Sequence, residues 1–334
     1  PANYKNCSIG GNISENSGGP KAVKYGTTKD YVLSLEVVLA DGNIIHTGRN
    51  LIKDVAGYNL TQLFVGSEGT LGVITKATLR LLPEVKESVL MLMSFTSVDD
   101  AGKAVNTILK TGIIPSSLEF MERNALLISK EHANLDFPPV NDATEAHLIV
   151  ELDGTDYEKL LQEREIIKKA VEINNPEFII TANSDEEKEK IWQLRRNTGS
   201  AVGDKDVYKE QDISIPRSNI PNAVNYINTW CKKYGYTAAC YGHAGDGNIH
   251  ANILRSGVSD DVWNNQLKLH LTELFDYICN TLGGSVTGEH GIGFVQRDFL
   301  PVMMDQTVIN VMKSIKNLFD PNNIINPDKI FLED

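Results

Sequence analysis

The sequence predicts an α+β fold in which helices pack on antiparallel or mixed sheets, divided over two domains. Three observations carry this expectation. A chain of 334 residues is longer than one hydrophobic core usually serves. Its first part reads as a glycine-rich loop, a hairpin and a period-two strand. From about Ser88 onward, short apolar runs alternate with amphipathic stretches, the pattern of helices laid on a sheet.

Residues 8–26 contain Gly10, Gly11, Gly18, Gly19 and Gly26 with Asn12, Asn16 and Ser17. This composition favours tight turns and close backbone approach, so loop rather than helix is expected. In YVLSLEVVLADGNIIHTG, Asp41-Gly42 between two apolar runs predicts a hairpin. In VITKATLRLL, Val73, Ala77, Leu79 and Leu81 alternate with Lys76, Thr78 and Arg80, predicting a half-buried strand closed by Pro83. There follow VLMLMSF, a helix near 98–110, SLEFME, another helix, AHLIVEL, a helix at 156–173, and FIIT. In the helix at 156–173, Tyr157, Leu160, Leu161, Ile167 and Val171 share one face. Ser184 with Glu187 reads as a capping box opening a helix whose DEEKEK run is a solvated face. NIHANIL alternates, with Ile249, Ala251 and Ile253 on one side and Asn248, His250 and Asn252 on the other. Residues 260–282 predict one long amphipathic helix through Trp263, Leu267, Leu271, Leu274, Phe275 and Ile278, ended by Gly283-Gly284, and GSVTGEHGIG follows as loop.

Forty-four acidic against 32 basic residues give a net charge of -12, which repels nucleic acid and anionic membrane surfaces. An acidic substrate therefore needs a local basic pocket. Cys7, Cys231, Cys240 and Cys279 show no CxxC pattern and are too few for a disulfide scaffold, which fits a reducing cytoplasm. No apolar run approaches the ~18 to 20 residues of a spanning helix, and no signal-peptide pattern opens the chain. Because Pro1 leads directly into the glycine-rich segment, a fragment or processed product is expected.

Three of the seven histidines, with Glu289, lie in YGHAGDGNIH and GEHGIG, two short glycine-rich segments joined by one helix. Two imidazoles and a carboxylate form a catalytic type of ligand set for Zn²⁺ or a similar ion, with positions left for substrate. On spacing alone, metal ligation by His243 and His250 and a pair of hydrogen-bonded turn histidines are equally open. His290, adjacent to Glu289, points elsewhere and is available as a general base. A second cluster holds Arg195, Arg196, Lys205 and Lys209. Arg195 and Lys209 are candidates for binding an anion, and Arg196 and Lys205 for surface ion pairs.

Six segments in order, CSIGGNISENSGG, KYGTTKDYVLSLEVV, VGSEGTLGVIT, YGHAGDGNIH, GEHGIG and FDPNNIINPDKI, span nearly the whole chain. Together they resemble the FAD-linked oxidases of the vanillyl-alcohol-oxidase (PCMH-type) superfamily, in the group of the glycolate oxidase flavoprotein subunit, D-lactate dehydrogenase and D-2-hydroxyglutarate dehydrogenase. The resemblance implies that residues 1–84 are the second half of a PCMH-type FAD-binding domain, with Ile9, Gly10, Gly11, Asn12, Asn16, Gly18, Gly19, Gly69, Gly72 and Val73 approaching FAD. It implies that residues 85–334 form a ferredoxin-like antiparallel-sheet substrate or cap domain, from which 318–334 return to bring Asn326 to the flavin. His243, His250 and Glu289 would bind a divalent metal, foremost Zn²⁺ and otherwise Mn²⁺ or Fe²⁺. His290 would be the base, and Arg195 and Lys209 would hold the substrate carboxylate.

The implied reaction is oxidation of a D-2-hydroxy acid, lactate or glycolate before 2-hydroxyglutarate, to the 2-oxo acid. Electrons would pass to an iron–sulfur subunit, an electron-transfer flavoprotein or a quinone or cytochrome, in the cytoplasm or at the membrane surface through that partner. Two departures stand out. The family's earlier pyrophosphate loop is not in this sequence, so the chain alone is expected to hold FAD poorly, and KEQDISIP is shifted from the usual lysine-to-strand spacing, which weakens Lys209. A non-catalytic flavoprotein subunit and a non-haem iron oxygenase are the readings from other classes.

Overall fold

A computed structural model describes residues 6–332. These form two compact units, one of residues 6–19, 26–84 and 286–332, the other of residues 20–25 and 85–285. The α+β class is as expected from the sequence.

The first unit holds a three-stranded antiparallel sheet of β1 (Val32–Val38), β2 (Ile44–Gly48) and β3 (Val73–Leu79), in the order β2-β1-β3. The hairpin predicted at Asp41-Gly42 joins β1 to β2, and Asp41 Oδ1 accepts from the Asn43 amide at 2.9 Å. The face expected of β3 is corrected. Register shifts against β1 near Val37 and Val32, and Val73 and Ala77 are exposed while Ile74 and Leu79 pack on the core. An extra residue in one strand turns every later side chain to the other face, and sequence alternation alone does not reveal it.

The loop expected over residues 8–26 is also corrected. Ile9–Glu15 is a helix: Ser8 caps it by accepting from the Gly11 amide at 3.0 Å, and left-handed Asn16 ends it. Ile13 is buried with Leu35, Val37, Phe64 and Leu71, so tertiary burial and two good caps outweigh the poor helix propensity of Gly10 and Gly11. The return of the chain to this unit begins at Val286, well before residue 318. The helix Gln306–Phe319 packs Ile315 and Phe319 on the same core, with Phe319 edge-on to Phe64 at 5.3 Å between centroids. Lys316 fixes it further, donating to the carbonyls of Thr70 and Ile325 and to the buried Asp320 carboxylate.

The second unit is built on a seven-stranded antiparallel sheet, in the order β7-β4-β6-β5-β9-β10-β8. Its strands are β4 (Glu87–Phe95), β5 (Ser117–Glu122), β6 (Ala146–Gly154), β7 (Phe178–Thr181), β8 (Tyr208–Ser214), β9 (Thr237–His243) and β10 (Asn248–Leu254). The strands and helices expected between Ser88 and Thr181 are present. Helices cover both faces, which is why β5 and β10 are buried at every position, β6 and β9 at all but one, and several strands read as apolar runs. Leu90, Leu92, Met121, Ile149, Ala239 and Tyr241 face the helices Arg123–Ala133, Asp185–Arg196 and Thr198–Lys205. The helices Val98–Lys110, Tyr157–Val171 and Ile220–Tyr234 take the other face.

Residues 20–25 belong to this unit through Lys24 Nζ and Tyr25 OH, 2.6 and 2.8 Å from Asp153 Oδ1. The predicted helix over 260–282 is interrupted: Leu267–Asp276 is α-helical, and wider π-type turns flank it at Val262–Gln266 and Tyr277–Thr281. Such turns place one more residue per loop and still keep Leu267, Leu271, Leu274, Phe275 and Ile278 buried. Among the described residues no helix is long and apolar enough to cross a membrane.

Candidate active site

The chemistry of the second unit gathers on one face of its sheet, where β9, β10 and β8 replace the apolar residues of the core with polar ones. In an antiparallel sheet directly paired residues share a face. The pairs Tyr241↔His250, His250↔Asp212, Asn252↔Glu210 and His243↔Asn248 therefore put Tyr241, His243, Asn248, His250, Asn252, Glu210 and Asp212 on one side. His243 is the last residue of β9 and His250 the third of β10, joined through the turn 244–247, in which the amides of Asp246 and Gly247 donate to His243 O. The two imidazoles are brought together at 5.6 Å between centroids with planes at 87°. Both are buried.

Glu119 of β5, fully buried, organises this face. Its Oε1 lies 2.7 Å from His243 Nδ1, and its Oε2 lies 2.7 Å from Arg195 Nε. Burial acts to raise the pKa of Glu119, but His243 and Arg195 outweigh it and hold the carboxyl below its ordinary value. Arg195 stands in the last turn of Asp185–Arg196, and its guanidinium lies over the Tyr241 ring at 4.7 Å. Glu119 is its one hydrogen-bonding partner among the described residues, through Nε, so Nη1 and Nη2 make no bond to protein there. A planar cation with its fork unengaged is suited to a carboxylate.

His250 Nδ1 lies 3.1 Å from Glu210 Oε1 and 3.7 Å from Asp212 Oδ1, and Asp212 also accepts from Asn248 Nδ2 at 2.7 Å. With Nδ1 of His243 hydrogen-bonded to Glu119, Nε2 is the nitrogen that ring would present to a metal. Two imidazoles with acidic partners behind them fit a divalent cation of the zinc type.

Lys209 is corrected. It pairs with Ile253 and so points to the face of the sheet opposite His243 and His250, and it is exposed. The residues that face the histidines from β8 are Glu210 and Asp212. Sequence reading also missed Glu119. Its signal was an acid inside SLEFME, a strand apolar on both sides, where an ionised carboxylate has to find a partner.

The other predicted residues belong to the first unit. Four segments quoted above meet at Glu68 of VGSEGTLG. Its carboxylate accepts from the amides of Ile292 and Gly293 in GEHGIG, both at 2.7 Å. Its own amide donates to Ser14 O in the first helix, and its carbonyl accepts from Asn326 Nδ2 at 2.9 Å. Asn326 thus sits beside Gly69. Glu15 is close by, and burial, with the neighbouring Glu68 charge, raises its pKa. The loop that carries Glu289 and His290 is therefore pinned two residues beyond His290.

The expected flavin-contacting residues divide. Ile9 and Val73 are exposed, and Gly10 has open space where a side chain would be. Gly69 and Glu68 are left-handed, and the Glu68 amide is used in the bond to Ser14 O. Gly18 lies beside Glu289, where a Cβ would be 3.4 Å from its Oε1. Two residues have structural work. A Cβ at Gly72 would lie 2.6 Å from Val37, so its glycine is required by packing, and Asn16 Oδ1 accepts from the Lys29 amide at 2.8 Å. Asn12 is buried, and Gly11 closes the Ser8 cap.

A family model described as FAD linked oxidases, C-terminal domain, matches residues 84–330, and one described as FAD binding domain matches residues 1–48. Glycolate oxidase subunit GlcD of Bacillus subtilis (strain 168) is 39% identical over 335 residues, covering 100% of this chain and 70% of that protein. D-lactate dehydrogenase of Archaeoglobus fulgidus is 35% identical over 322 residues, covering 96% of this chain and 69% of that protein. Among solved structures, p-cresol methylhydroxylase with substrate bound has the same fold with a TM-score of 0.75 at 16% identity, over 98% of this chain and 70% of that one.

Proposed function

The chain belongs to the FAD-linked oxidase family, and from that premise we propose that it oxidises a 2-hydroxy acid of the D series, lactate or glycolate, to the 2-oxo acid. The observation that carries this is the arrangement on one side of the sheet of a buried arginine, whose fork makes no protein bond among the described residues, linked through Glu119 to one of two neighbouring imidazoles. It offers one group for a carboxylate and two for a cation next to the carbon that reacts.

Arg195 binds the substrate carboxylate through Nη1 and Nη2. His243 and His250 would hold a divalent cation, and Glu289 is proposed as its third protein ligand. When bound, FAD takes the two electrons of the oxidation and the cation supplies Lewis acidity to the substrate oxygens. His290 removes the hydroxyl proton. The backbone of Ile9, Gly10, Gly11, Asn12, Gly18, Gly19, Gly69 and Val73, with Asn326, is proposed to line the flavin. Glu210 and Asp212, on the same face as His250, disfavour a second carboxylate on the substrate, which supports lactate or glycolate over 2-hydroxyglutarate. Electrons leave for a separate acceptor, a partner subunit or small carrier, and a cytoplasmic location goes with that proposal.

The roles separate kinetically. Replacing His290 by Gln should lower flavin reduction at saturating substrate by roughly 10² to 10⁴. Replacing Arg195 by Lys should instead raise the substrate concentration needed, by roughly 10- to 100-fold for a lost charged hydrogen bond. The reverse pattern would exchange the two roles.

A further inference from the structure

We propose that Glu119 is the positioning residue of this site, one carboxylate that fixes both the metal-binding nitrogen of His243 and the fork of Arg195. The proposal rests on the reading of His243 as a metal ligand. Three features of Glu119 carry it. It is fully buried on a strand whose neighbours are apolar, and a carboxylate placed there without a binding partner would be costly. Both of its oxygens are committed to the two groups in question, at 2.7 and 2.9 Å from His243 Nδ1 and 2.7 Å from Arg195 Nε. It reaches them from β5, a different strand from either, and on the helix side Arg195 is the end of Asp185–Arg196.

The geometry has a definite chemical consequence. An acceptor-only carboxylate on Nδ1 requires the proton there, which leaves the lone pair of the neutral ring on Nε2. The same bond fixes the ring plane of His243, which stands at 87° to that of His250. Holding Arg195 by Nε leaves the Nη1–Nη2 edge of its guanidinium as the one on which two parallel hydrogen bonds to a carboxylate can form. One buried charge thus sets the spacing between the cation that would bind one end of the substrate and the arginine that binds the other. A carboxylate behind a histidine ligand is worth roughly 10- to 100-fold in metal affinity.

The test has two readouts. Histidine ring ¹⁵N spectra of the metal-free protein, with His243 assigned by comparison with His243→Asn, should show the proton of His243 on Nδ1. Zn²⁺ titration of the wild type against Glu119→Gln, with thermal unfolding run beside it, should show affinity weaker by roughly 10- to 100-fold in a folded variant. If the variant does not fold, the tautomer of the wild type decides. Equal Zn²⁺ affinity in the two proteins, or the proton on Nε2, overturns the role of Glu119. A wild type that shows the Nδ1–H tautomer and takes up no Zn²⁺ instead overturns the metal reading.

Discussion

Glu122 ends β5 and ties it to the strand that carries His243. Its Oε1 accepts from the Cys240 amide at 3.1 Å and its Oε2 from Asn228 Nδ2 at 2.9 Å. Burial pushes its pKa up from 4.5 to about 7, against the opposing pull of those two hydrogen bonds. At ~1.4 kcal/mol per tenfold change, that displacement corresponds to on the order of 3 kcal/mol. The unfolded chain releases this proton near 4.5 and the folded chain near 7, so between those values the unfolded state binds fewer protons. The contribution of Glu122 is therefore present below 4.5 and lost as pH rises to about 7. Glu122→Gln stays neutral throughout and should remove this slope. Urea denaturation of both proteins at pH 4.5, 6 and 8 should show the variant gaining on the wild type by roughly 3 kcal/mol from the lowest pH to the highest. Buried His147, lowered to about 4, gives the opposite slope as pH falls below 6.5, but it is common to both proteins and cancels. Parallel pH profiles for wild type and variant would refute the reasoning.

Other substitutions test the packing of the first unit. Gly291 is left-handed at φ 73°, and a Cβ there would lie 2.6 Å from Glu15 Oε2 and 2.8 Å from Glu68 Oε1. Gly291→Ala should cost about 1–3 kcal/mol and lower activity by displacing the loop of His290, read by denaturation and by steady-state rate. Lys316→Met leaves the buried Asp320 without its cation and should cost roughly 3–5 kcal/mol, while the double change with Asp320→Asn should recover much of it.

Much of the fold was legible in the sequence because it lay in periodicity. The hairpin at Asp41-Gly42, the strands SLEFME and AHLIVEL and the helix at 98–110 are all where local pattern puts them. What local pattern could not carry was anything decided by a distant neighbour. Helix 9–15 forms because Ile13 has a core to enter, the face of β3 turns on a bulge against β1, and the return at Val286 is set by packing far along the chain. The site divides in the same way. His243, His250 and Arg195 are candidates from residue type and motif, and the structure brings them together on one side of the sheet. Lys209 failed because strand parity, fixed by its pairing with Ile253, outranks proximity in sequence. Glu119, 76 residues before Arg195 and 124 before His243, could be recognised only as a buried acid in need of partners.

The central claim is tested most directly by anaerobic mixing of the FAD-loaded protein with a panel of D- and L-2-hydroxy acids while the flavin absorbance is followed. D-lactate or glycolate should bleach the flavin, L-lactate should not, D-2-hydroxyglutarate should act weakly, and chelation should abolish the response. A flavin that stays oxidised with every acid, or that is reduced equally well after chelation, would contradict the account.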